Sequence, residues 1–149
     1  MLAATLLCLV IGISDGRTLT VRCGEPGAYE QVTVRLQGID APERKQPFGE
    51  RVRQALAELT FLKEAELRCT KTDRFQRQVC SVWVTPASAS SGPRTLDAGL
   101  AMITQGMARW SRACGHEQSP QARGQYEFAE QEAMARKVAL WRDPEPTAP

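Results

Sequence analysis

The run Gln31-Val32-Thr33-Val34-Arg35-Leu36-Gln37-Gly38-Ile39-Asp40-Ala41-Pro42-Glu43, followed closely by Gln46-Pro47-Phe48-Gly49, decides how the rest of this chain is read. Its first six residues alternate polar and apolar, the period of a strand with one buried face. Val32, Val34 and Leu36 therefore share the core side, and Arg35 points to the other. Residues 38–48, broken by Gly38, Pro42 and Pro47, read as a loop. Taken singly, Arg35 is a solvated strand residue and Glu43 a loop charge or helix cap. Taken together, a strand-borne guanidinium followed within eight residues by Asp40 and Glu43 marks a site.

Outward from this run the chain divides into short elements. Residues 8–14 and 18–23 are rich in β-branched and aliphatic side chains and flank Asp15-Gly16, a tight-turn dipeptide, which predicts a hairpin. Downstream, Val52, Ala55, Leu56 and Leu59 recur at helical spacing over residues 49–61. Strands are expected at 66–70 and 79–84, joined by a charged connector at 71–78. After a Ser/Ala-rich loop, helices are expected at 96–105, ended by Gly106, and at 122–137, with Phe128, Met134 and Val138 on the apolar side. Strands, a helix, two more strands and two late helices give an α+β domain with a small barrel. The pattern alone does not order the strands.

At 149 residues and 42% apolar content, with no break in composition, the chain closes one core. The expected organisation is a domain over residues 8–142 between a signal remnant at 1–7 and a disordered tail at 143–149. Nineteen basic against seventeen acidic residues leave a net charge of +2, so any capture of nucleic acid depends on local clustering. The apolar run 2–13 is too short to span a bilayer and lacks a basic start. It reads as the remnant of an export signal or as the first core strand, and both hold if only residues 1–7 belong to the signal.

Five cysteines sharpen the question of compartment. Cys8 and Cys23 lie symmetrically about Asp15-Gly16, and Cys69 and Cys80 about Arg74-Phe75. Each pair then falls opposite across a hairpin, at a separation that a disulfide bridges. Disulfides imply a periplasmic or secreted protein; the alternative is buried reduced thiols in a cytoplasmic one. Cys114 is unpaired either way. His116 is the only histidine, and no Cys/His spacing suggests zinc.

The quoted run resembles the central signature of the staphylococcal nuclease-like (thermonuclease) family. Asp15-Gly16-Arg17-Thr18-Leu19-Thr20-Val21 is similar to the turn and strand that open that family's site. Thr72-Asp73-Arg74-Phe75-Gln76-Arg77 resembles the loop carrying its second arginine, and the likeness extends over most of the chain, to about Trp141. The resemblance implies a five-stranded oligonucleotide-binding (OB-fold) barrel with three helices that cleaves nucleic-acid phosphodiesters. It implies Glu43 as the base that takes the proton of the attacking water. Arg35 and Arg77 would grip the phosphate with guanidinium forks. Asp40 and the backbone carbonyl of Ala41 would be oxygen ligands for Ca²⁺, with Asp15 and Thr18 behind them. A monomer acting on the phosphate backbone, without a transmembrane span, completes the expectation.

One departure stands out. The family's turn reads Asp-Gly-Asp-Thr, its second aspartate binding calcium directly, and Arg17 stands there in this chain. Asp15, Asp40 and Glu43 then balance Arg17, Arg35 and Arg77 without any metal. A cation about 5 Å from a divalent ion costs roughly 6 to 7 kcal/mol at an effective dielectric near 20. Arg17 is expected to shadow the metal position and pair with Asp40 or Glu43, removing several kcal/mol of metal assistance. Phe75 lacks the hydroxyl that the family places nearby, and Arg109 and Arg112 are candidate compensating contacts to phosphate. Three functions are in view, the first two being a calcium-type nuclease weakened by Arg17 and a catalytically impaired module of the same fold that binds nucleic acid or protein. A structural secreted domain is the third.

Overall fold

The computed structural model describes residues 4–89 and 91–142, so the tail expected at 143–149 lies outside the described residues. In chain order the elements are β1 (Ala4–Asp15), β2 (Thr18–Cys23), β3 (Glu30–Leu36), β4 (Ile39–Asp40), α1 (Gly49–Thr60), β5 (Glu64–Thr72), β6 (Gln78–Val84), β7 (Leu96–Asp97), α2 (Ala98–Thr104), β8 (Arg109–Trp110) and α3 (Pro120–Arg136). A 3₁₀ segment, Arg112–Glu117, leads into α3, and another, Ala139–Trp141, comes after it.

The first hairpin turns one residue later than its sequence symmetry suggests. Asp15 faces Thr18, so the loop is Gly16-Arg17. Two register shifts, between Val10 and Gly12 and between Ile13 and Asp15, absorb the offset and bring Cys8 opposite Cys23. The two are disulfide-bonded with Cα atoms 4.4 Å apart. In the β5–β6 hairpin Cys69 faces Cys80 and is bonded to it, the Cα atoms 4.0 Å apart. β1 starts four residues before the expected Cys8, because residues 4–7 join the ladder to β5 along with Cys8 and Leu9.

Strands run in the order β3-β2-β1-β5-β6, with β7 on the far side of β6. Val34, Arg35 and Leu36 of β3 then pair in parallel with Gln78, Val79 and Cys80 of β6, closing a five-stranded barrel. The family resemblance anticipated this barrel and its three α-helices. Val10, Leu19, Val21, Val34, Leu36, Leu67 and Val82 fill its interior. α1 adds Val52 and Leu56, and α2 adds Met102 and Ile103.

The last helix buries a different side from the one expected. Phe128 and Met134 are exposed, and Tyr126, Ala129, Glu130 and Ala133 face inward. Two alanines let the helix approach closely, Tyr126 sends its hydroxyl to both oxygens of Asp97 at 2.9 and 2.8 Å, and Glu130 accepts the Trp110 amide at 2.8 Å. Asp97 also caps α2 through the amides of Gly99 and Leu100. Hydrogen bonding outweighs side-chain size in setting this face.

Candidate phosphodiester site

β3 delivers Arg35 to the outer side of the barrel at the seam where the barrel shuts. There it is buried, only 6% exposed. Its Nη2 donates to Glu117 Oε2 at 2.5 Å, and its Nε lies 3.9 Å from Asp73 Oδ2. Arg77 reaches the same Asp73 oxygen from the β5–β6 loop, at 2.8 Å. The two arginines singled out in the sequence thus converge on one carboxylate oxygen. Nη1 of Arg35 and Oγ1 of Thr18, its partner across β2–β3, are both buried with no hydrogen-bond partner among the described residues. Buried polar atoms of this kind are normally satisfied, by water or by a ligand.

Asp73 shapes the second loop as well. Its Oδ1 accepts the amides of Phe75 (2.8 Å) and Arg77 (3.0 Å), a turn that fixes where the Arg77 guanidinium emerges. Burial pushes the Asp73 carboxyl up, but the Arg77 and Phe75 hydrogen bonds and the Arg77 charge outweigh it and hold the group below its ordinary value.

Glu117, at the end of the 3₁₀ segment, is the residue that sequence reasoning missed. Its side chain is 1% exposed, its Oε1 accepts the Gly38 amide at 3.3 Å, and its Oε2 also meets Lys71 Nζ at 3.3 Å. Gly38 has φ +76°, and a Cβ there would overlap the carboxamide of Gln118. That close approach seats the segment on the turn between β3 and β4.

Asp40 ends β4 and faces Arg109 of β8. Its Oδ1 receives Nη1 of Arg17 at 2.7 Å, while Asp15 Oδ1 accepts the Arg17 amide at 2.9 Å. Ala41 is buried beside it. Glu43 lies on the exposed loop, where its amide donates to Gln46 Oε1 at 2.7 Å, and no hydrogen bond or ion pair engages its carboxylate among the described residues. Gly49 permits this arrangement, since a Cβ there would overlap the carbonyl oxygen of Glu43. Arg109 stacks over Trp141, its guanidinium carbon 5.3 Å from the ring centre. Arg112 stacks over Trp110 at 4.9 Å and lies 3.8 Å from Glu130, so this side chain is engaged within its own corner of the fold.

Calcium takes six to eight oxygen ligands, several of them charged. A guanidinium holds Asp40 Oδ1, and among the described residues no three Asp, Glu, His or Cys side chains converge.

The chain is also similar to known proteins over most of its length. Residues 33–143 match the profile described as staphylococcal nuclease homologue. Protein ParB of Escherichia coli is 39% identical over 140 residues, 94% of this chain and 75% of that protein. A micrococcal nuclease of Shigella flexneri is 34% identical over 140 residues, covering 94% and 76%. An uncharacterized endonuclease of Haemophilus influenzae is 33% identical over 142 residues, covering 95% and 70%.

Proposed function

Because this chain belongs to the staphylococcal nuclease family, we propose that it grips nucleic-acid phosphodiesters with Arg35 and Arg77 and hydrolyses them slowly, Arg17 having weakened its calcium site. The convergence of both guanidiniums on Asp73 Oδ2 carries the reading. Forks held that close meet two or three oxygens of one phosphate and oppose the charge that grows on them during attack. Glu43, with no partner on its carboxylate among the described residues, is free to take a proton from water. Arg17 adds positive charge next to Asp40 and so contributes to anion binding what it takes from metal binding. In this reading the chain acts as a monomer in the periplasm or outside the cell, and the two disulfides support that location.

The Arg17–Asp40 pair favours a second reading, a module that holds nucleic acid without cutting it. Plasmid and single-stranded DNA incubated with the protein, with calcium or with chelator, separate the two. Slow cleavage by the unaltered chain supports hydrolysis. Cleavage only by Arg17→Asp, in calcium, identifies Arg17 as the lesion and leaves the natural protein a binder. An absence of both cutting and binding would remove the nucleic-acid assignment.

A further inference from the structure

Cys69 faces Cys80, and Lys71 faces Val79, with a register shift between the two pairs. Strict alternation would send Cys69 and Lys71 to the same side of β5. Cys69 belongs to the core, yet Lys71 is exposed. The shift leaves Thr70 without an opposite residue, and such an extra residue bends the strand and re-aims the side chains beyond it. Three strands then line up: Lys71 is opposite Val79, and Val79 is opposite Arg35. Directly opposed side chains stand on one side of a sheet, so Lys71 emerges on the face that carries Arg35. The two side chains meet at Glu117, whose Oε2 lies 3.3 Å from Lys71 Nζ and 2.5 Å from Arg35 Nη2.

Arg35, Arg77 and Lys71 surround only two carboxylates, Glu117 and Asp73, which leaves one positive charge over. Exposure decides which group brings it to an incoming anion. The Lys71 side chain is 45% exposed, against 7% for Arg35 and 23% for Arg77. An ammonium has three protons to donate, and Glu117 takes one.

We propose that Lys71 is a further phosphate-contacting residue, one that meets a backbone phosphate of nucleic acid at the entrance to the Arg35 site. The proposal rests on the phosphodiester reading above. The test is equilibrium binding of a fluorescent single-stranded oligodeoxynucleotide, in chelator, across a range of KCl concentrations. Loss of one phosphate contact lowers the slope of log affinity against log salt by about 0.7 for a single strand. Lys71→Gln is therefore expected to bind several-fold more weakly at low salt with a slope shallower by about that amount, and Lys71→Arg to restore both. A Lys71→Gln slope equal to that of the unaltered chain overturns the proposal, even if affinity falls, because a purely structural ion pair with Glu117 would leave the slope alone. In that outcome binding by the unaltered chain leaves the phosphodiester reading standing. No binding by the unaltered chain overturns both together.

Discussion

Arg35 and Glu117 are bonded at 2.5 Å with almost no solvent on either side chain. Removing one member of a buried pair strands the other's charge, which typically costs about 3–5 kcal/mol. Glu117→Ala is expected to lose stability of that order, read as a lower urea midpoint with an unchanged slope; a loss under about 1 kcal/mol would show the pair to be solvated in solution. Sequence made one half of this pair visible. Arg35, Asp40 and Glu43 fall within nine residues, a spacing dense enough to read, and Arg77 sits in a loop with its own signature. Glu117 lies 82 positions from Arg35, and nothing local distinguishes it from a surface glutamate. Lys71 was hidden for another reason: its direction depends on a bulge, and alternation extrapolated from Cys69 aims it wrongly.

At the scale of elements, Asp97 joins β7, α2 and α3 by accepting from three donors, the Gly99 and Leu100 amides and the Tyr126 hydroxyl. Burial pushes its carboxyl above the ordinary value of 3.8, against the hydrogen bonds from Tyr126, Leu100 and Gly99. A carboxyl that holds its proton more tightly when folded favours the native state most below 3.8, and that advantage is lost as pH rises from there through the raised value. Asp73, held low, works in the opposite sense: its contribution is present above 3.8 and disappears as pH falls through the lowered value. Asp97→Asn is expected to remove the first slope and leave the second, so its stability relative to the unaltered chain improves as pH rises from 3.8 through the raised value and is level beyond it, read in urea titrations. Identical curves for the two proteins would show Asp97 to titrate normally. Asp97→Ala, which strands the Tyr126 hydroxyl and uncaps α2, is expected to cost about 2–4 kcal/mol, most below pH 3.8 and less above the raised value. The hairpins were legible because each cysteine pair is centred on a turn dipeptide or a charged connector, although the first turns one residue later than that centre and both contain register shifts. The inward face of α3 was not, since alanines, a tyrosine and a glutamate make a weak stripe beside Phe128 and Met134.

For the molecule as a whole, the disulfides close loops of 15 and 11 residues, together worth on the order of 5 kcal/mol. Small domains have only about 5–15 kcal/mol in total. Reductant is therefore expected to drop the unfolding midpoint sharply in a thermal melt, and a midpoint indifferent to reductant would exclude both bonds from the protein in solution. Neither bond joins distant parts of the chain. Strand pairing does so instead, β1 with β5 and, at the closure of the barrel, β3 with β6, a junction whose three residues of parallel pairing leave no local trace and which only the family resemblance anticipated. Arg35 sits in the middle of that junction. Any anion that engages it acts on the clasp of the whole architecture, so occupancy and unfolding become linked equilibria: a ligand that favours the native form raises its free energy of unfolding with the logarithm of ligand concentration once the site is mostly filled. Backbone amide exchange would then slow around the entire circumference, far from the point of contact.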